Sequence, residues 1–226
     1  NAGVVQGQAS PYICITDAQY EQVSQLLEAS RPSGKAAGPA QMTVELSPPL
    51  HEPWVRYVNN YLDLDPGSGI QDYHCGNAAY DGHNGIDYRI VNFHNMETDI
   101  PILAAADGEV VATQDGEFDR RTEIVDGTPA NYVIVRHEDG SDGWYWHMRT
   151  GTVAVTVGQQ VTTGDTLGSV GSSGLSDGPH LHFEIRDPIG NVRVPFNGSC
   201  QSEPTLWVSQ DPYVRDLPFE VVDEGL

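Results

Sequence analysis

The spacing of apolar positions changes along the chain. In residues 15–30, Val23, Leu26 and Leu27 recur at helical intervals and Thr16 or Asp17 can cap the segment, which predicts a helix. Pro32, Gly34, Gly38 and Pro39 then end it as a linker. Residues 52–62, with Trp54, Val55, Val58, Tyr61 and Leu62, predict a second short helix, and residues 65–69 a turn. From about residue 70 the period falls to two. Ile86, Tyr88 and Ile90 alternate with Asp87 and Arg89, and two apolar runs flank Asp107-Gly108. Residues 132–137 and 144–148 enclose the polar stretch 138–143, a hairpin with a multi-residue turn. Gly158, Gly164 and Gly168 punctuate the short apolar stretches between 153 and 170. The pattern predicts a mainly β, antiparallel fold with short N-terminal helices. It divides the chain into an N-terminal helical segment and linker (1–45), a principal domain (46–200) and a C-terminal strap (201–226). The strap, with Trp207, Pro212, Tyr213, Pro218 and Phe219, is expected to pack on the surface and leave its acidic end in solvent.

Length and composition agree with one domain plus decorations: 226 residues, 38% hydrophobic, with 24 glycines and 15 prolines for a turn-rich fold. No run of about 18 apolar residues occurs, so no transmembrane segment is predicted. The chain opens at Asn1 without a basic, apolar leader, so any signal peptide is expected to have been removed.

Charge narrows the partners. Acidic residues number 32 against 11 basic ones, a net charge of −21, and Lys35 is the only lysine. Such a surface repels nucleic acid phosphates, anionic lipid and anionic wall polymers, which excludes nucleic acid as a partner. It suits a monomer kept soluble in salt, where screening removes the self-repulsion; stability indifferent to ionic strength would count against that reading.

Cys14, Cys75 and Cys200 lack the Cys-x-x-Cys spacing of a structural zinc site. In an exported protein one disulfide and one free thiol are expected, with all three pairings open. Cys75 as a zinc ligand is the less favoured reading, because thiolates favour closed structural sites.

The chemistry concentrates in His83-Asn84-Gly85-Ile86-Asp87 and, about a hundred residues later, His180-Leu181-His182. Imidazole and carboxylate together are the ligand set of a catalytic zinc site. On a strand, His180 and His182 share one face roughly 6–7 Å apart. A turn at Gly85 running into a strand brings His83 and Asp87 together. Three protein ligands leave a fourth position for water, but spacing alone does not choose between His180 and His182 as the third. Peptide hydrolysis also needs a proton acceptor and donor near neutral pH, for which His147 and the remaining strand histidine are available. His51, His74, His94 and His137 read as structural. Trp144 and Trp146 read as packing residues, and residues 171–178 as a flexible rim beside His180. No nucleophile elbow, Walker loop or His-Glu-x-x-His motif occurs.

These motifs resemble those of the lysostaphin-type zinc metalloendopeptidases: His83-x-Gly85-x-Asp87, Tyr145-x-His147, and residues 178–184, Gly-Pro-His-Leu-His-Phe-Glu. Residues 106–110 and 158–168 resemble that family's core as well. The resemblance covers roughly residues 70–195 and implies an antiparallel β groove within the 46–200 domain. It implies zinc ligands His83, Asp87 and His182, with His180 and His147 as base and transition-state stabiliser. Family members also use a tyrosine shortly before the first ligand to steady the oxyanion; Tyr80 is close to that place, and its spacing does not fix the match, so the role stays open. The implied substrates are peptidoglycan cross-links or glycine-rich peptides, and the implied location is secreted or periplasmic. The acidic surface departs from members that cling to anionic walls. A non-catalytic zinc-containing module that binds peptidoglycan or a partner is the competing reading. A lipoyl-type carrier is excluded because Lys35 lies in the linker, not at a hairpin tip. Helix 15–30 is expected to dock on the core rather than to cover the groove.

Overall fold

The computed structural model describes residues 15–31, 42–50 and 57–213. Its elements are α1 (Asp17–Ala29), β1 (Tyr57–Asn60), β2 (Ile86–Arg89), α2 (Phe93–Met96), β3 (Pro101–Leu103), β4 (Gly108–Gln114), β5 (Tyr132–Arg136), β6 (Asp142–Trp146), β7 (Gln160–Val161), β8 (Thr166–Ser169), β9 (His180–Arg186) and β10 (Val192–Arg193). The main sheet runs β1-β2-β9-β6-β5-β4-β7, with β10 also paired to β9, and β3 pairs β8 separately. Every strand pair is antiparallel, which is the predicted fold class.

The register sorts the side chains. Ile86 and Tyr145 both face Phe183, so Val133, Tyr145, Leu181, Phe183 and Ile185 share one face. That face is buried in the larger apolar core with Ile102, Leu167 and Trp207. The Tyr145 hydroxyl inside it accepts a 2.8 Å hydrogen bond from the Ala105 N–H, which matches an otherwise costly buried polar group. Tyr132, Ile134, Trp144 and Trp146 occupy the opposite face and form a second cluster with Ile15, Val23 and Leu27. So α1 docks on that second face, and both tryptophans are packing residues.

Helix α1 begins where its cap dictates: the Thr16 hydroxyl accepts the Gln19 N–H at 3.1 Å. Val23 and Leu27 are buried, whereas Leu26 faces outward. The described part of the second predicted helix, residues 57–62, is not helical. Residues 57–60 are strand β1, paired to β2 through Tyr57–Arg89 and Val58–Tyr88. The edge of β2 offers unpaired backbone groups, and satisfying them overrides a weak helical spacing. Residues 61 and 62 are not helical, and 51–56, with His51, lie outside the described residues.

Cys75 and Cys200 form a disulfide across 125 residues. It closes a loop long enough that the chain-entropy model assigns it about 4–5 kcal/mol. Cys14 lies outside the described residues. The strap goes deeper than expected: Trp207 and Tyr213 belong to the core, and Leu46 pairs in parallel with Trp207. The acidic end, with Pro218 and Phe219, is outside the described residues. No helix among the described residues is long and apolar enough to cross a membrane.

Candidate active site

Strand pairing places the first two groups. Asp87 on β2 lies directly opposite His182 on β9, so both project from the second face of the sheet, and His182 Nδ1 stands 2.9 Å from Asp87 Oδ1. His83 enters from the turn before β2. Its Nε2 is 3.2 Å from both Asp87 Oδ1 and His182 Nδ1. All three residues are buried.

Hydrogen bonds on the far side of each group fix what it presents. His83 Nδ1 is 2.7 Å from the Tyr61 carbonyl, which only accepts, so Nδ1 carries the proton and Nε2 is a lone pair. His182 Nε2 is 2.9 Å from Glu184 Oε1, which places its proton there and leaves Nδ1 as a lone pair. Asp87 Oδ2 accepts from the Asn60 amide at 3.0 Å, leaving Oδ1 toward the imidazoles. Burial pushes the Asp87 carboxyl up, but the His83 and His180 imidazoles beside it outweigh that and hold it well below the usual range. Three acceptor atoms therefore face one another at 2.9–3.2 Å. Such an arrangement is repulsive without a cation between them. Bonds of about 2.0–2.1 Å around a tetrahedral zinc put ligand atoms about 3.3 Å apart, close to this spacing. The donor set could hold that ion.

Gly85 has a steric reason to be glycine. Its backbone is outside the left-handed region, but a Cβ would stand 2.4 Å from His182 Cε1. The ring is pinned by Glu184 and could not move aside.

His180 lies on the same face, one pleat from His182. Its Nδ1 donates to the Gly178 carbonyl at 2.8 Å, and its Nε2 is 3.7 Å from Asp87 Oδ1. His147 reaches the site by an unusual route. Strand alternation after Trp146 would send it into the apolar core, where Tyr145 points. Instead its φ is +66°, a left-handed conformation rare for a residue with a Cβ. The turn brings its ring to 4.5 Å from that of His180 and 5.9 Å from that of His182. Its Nδ1 donates to the Ser173 carbonyl at 2.7 Å. Both histidines thus carry a proton on Nδ1 and direct Nε2 as the basic nitrogen.

Tyr80 stacks on His83 with ring centres 4.3 Å apart and lines the open cleft with Asp87, Ser176 and His180. Residues 171–178, read as a flexible rim, are instead largely buried and bonded. Ser172, Ser173 and Ser176 are at most 1% exposed, and Ser173 and Gly178 supply the carbonyls that orient the two histidines. The remaining described histidines lie apart. His74 stacks on Tyr213, His94 is on α2, and the buried His137 donates to the Asp107 carbonyl at 2.8 Å.

Two residues without an assigned role complete the row. Glu184 continues the face after His182, and its Oε2 accepts from Arg186 Nε at 2.7 Å. The Arg186 guanidinium lies over the Trp144 ring at 4.3 Å and the Tyr20 ring of α1 at 4.7 Å. Extending the period of two from His180 would have pointed to both, whereas nothing in the sequence links Asn60 to Asp87.

This antiparallel sheet thus carries a buried His-Asp-His cluster that could hold a metal ion, with two further histidines beside it. The model of Peptidase family M23 matches residues 81–196, and the chain belongs to that family. It is 35% identical over 115 residues to the DD-carboxypeptidase/endopeptidase Mpg of Neisseria meningitidis, covering 50% of this chain and 22% of that protein. It is 30% identical over 103 residues to the peptidoglycan DD-endopeptidase ShyA of Vibrio cholerae, covering 46% and 20%. The chain thus spans about a fifth of the length of these curated relatives. Among solved structures it is similar to the catalytic domain of the prophage-encoded M23 protein EnpA from Enterococcus faecalis, at 28% identity, 66% coverage of this chain, 93% of that one, and a TM-score of 0.43.

Proposed function

We propose that this chain is a zinc-dependent endopeptidase acting outside the cytoplasm on peptidoglycan cross-links or glycine-rich peptides. The convergence of three lone-pair donors, His83 Nε2, Asp87 Oδ1 and His182 Nδ1, at 2.9–3.2 Å carries the proposal. Those three residues would hold the ion. Zinc, when bound, polarises a carbonyl oxygen and lowers the pKa of a water to about 7.

The remaining work falls to the chain's own side chains. His180, fixed by the Gly178 carbonyl, turns Nε2 toward the cluster and takes the proton of the attacking water. His147, fixed by the Ser173 carbonyl, donates from Nε2 in its protonated, imidazolium form to the developing oxyanion, and the proton that His180 took from the water passes to the leaving amine. Glu184 holds the His182 ring so that Nδ1 keeps its aim. Names of relatives that act on peptidoglycan support the substrate class, and the Cys75–Cys200 disulfide supports an oxidising compartment.

The test is zinc content together with hydrolysis of purified sacculi and of pentaglycine by the same preparation. One zinc per chain with cleavage of either is expected. One zinc with cleavage of neither would favour a binding module.

A further inference from the structure

We propose that Arg89 binds a substrate carboxylate beside the scissile bond, so that the preferred substrates are peptides with a free carboxylate at that position. This rests on the hydrolytic reading above and narrows it. Arg89 follows Asp87 by two residues on β2 and so shares its face, and it pairs directly across from His180 on β9. It lines the cleft with Asn59, Tyr80, Asp87 and His180, and among the described lining residues it is the one lysine or arginine. The guanidinium therefore stands next to the group assigned to proton transfer.

Space is kept for it there. A Cβ at Gly178 would lie 2.5 Å from Arg89 Nη2, so glycine at that position leaves room for that end of the guanidinium. Its ion pair within the chain is loose. Asp177 Oδ1 is 3.5 Å from Nη2, with the two side chains 34% and 58% exposed. A single, long, solvated contact of this kind contributes little and leaves the planar fork able to exchange it for a bidentate carboxylate. The charge of the whole molecule sharpens the point. At −21 the chain repels anionic ligands, so a carboxylate-bearing peptide needs a local cation to enter, and Arg89 is placed to be that cation.

The experiment compares one alanine-containing cross-linked stem peptide, made with the carboxylate next to the scissile bond either free or amidated. Both forms are offered to the zinc-loaded chain and to Arg89→Gln and Arg89→Lys. The native chain should prefer the free acid by about 10- to 100-fold in kcat/KM, the range for losing a charged hydrogen-bonded partner. Arg89→Gln should bring that ratio close to one, the change lying in KM, while Arg89→Lys should keep part of it. A native ratio near one, or a ratio that survives in Arg89→Gln, overturns the assignment of Arg89 while leaving peptide hydrolysis standing. If the native chain cleaves neither peptide, hydrolysis of sacculi and of pentaglycine decides the hydrolytic reading. The acid-to-amide ratio of dissociation constants, measured by calorimetry on the same proteins, then decides Arg89 by the same criterion.

Discussion

On one side of β9, Leu181, Phe183 and Ile185 enter an apolar core; on the other, His180, His182, Glu184 and Arg186 form a continuous polar row, and all seven are buried. Burial is the same but the rules of tolerance differ. Apolar side chains are held by area and packing, so a loss is local and roughly proportional to the atoms removed. Each member of the polar row is matched by a particular partner: the Gly178 carbonyl for His180, Glu184 for His182, His182 and Arg186 for Glu184, Trp144 and Tyr20 for Arg186. Removing one partner strands the next group in low dielectric. Strand β9 thus keeps stability on one face and chemistry on the other.

The largest break in this contrast should come from the polar row. His182→Ala is expected to lose zinc, read by metal content, and with it turnover. His147→Ala should keep zinc but lose about 10²–10⁴-fold in kcat, the usual worth of general acid–base assistance. Loss of zinc in that variant would overturn the ligand assignment.

Phe183→Ala tests the other face. Its ring packs near Tyr145 and Trp207, at 5.1 and 6.1 Å between centres. Truncation should cost about 3–5 kcal/mol in denaturant unfolding while zinc affinity per folded molecule is retained.

Glu184→Gln is a smaller perturbation, because the amide oxygen can still accept from His182 Nε2. Zinc affinity in a chelator competition should fall about 10- to 100-fold, as for other partners of metal-bound histidine. Acid sharpens the same comparison in the metal-free protein. Burial raises the Glu184 carboxyl, but Arg186 and the His182 hydrogen bond outweigh it and hold it below its ordinary value. Its folded pKa is below the unfolded one, near about 4.3, so its stabilisation is complete above that pH and lost as pH falls through the folded value. The stability penalty of Glu184→Gln should therefore shrink on acidification, whereas that of Phe183→Ala should not. Parallel behaviour of the two penalties would erase the distinction between the faces.

The smallest effect concerns α1, which covers the second face. Thr16→Ala removes the cap on Gln19 N–H and should cost about 1 kcal/mol in thermal unfolding.

Much of this was legible in residue order. The period of two through residues 180–186 placed both histidines on one face, and the alternation at Ile86, Tyr88 and Ile90 marked β2. What failed did so for tertiary reasons. Residues 57–60 look helical by spacing yet complete the edge of β2. Residues 171–178 look like a loose rim because they are Gly- and Ser-rich, yet Ser173 and Gly178 bond Asn131, His147 and His180. Gly85 looks like a turn glycine and is a clearance for the His182 ring.

By itself the sequence determined the inventory: a mainly β chain, a His-x-Gly-x-Asp turn, and a strand with alternating chemistry, because pleat and turn geometry are local. Which atoms meet was decided only by the tertiary structure. The pairing of β2 with β9 sets Asp87 against His182, and the tautomer of each imidazole is fixed by a partner elsewhere in the chain: Tyr61 for His83, Ser173 for His147, Glu184 for His182. The left-handed backbone at His147 redirects that ring from the core to the site. Distances of about 3 Å between residues nearly a hundred apart come from sheet register and packing, which no local pattern encodes.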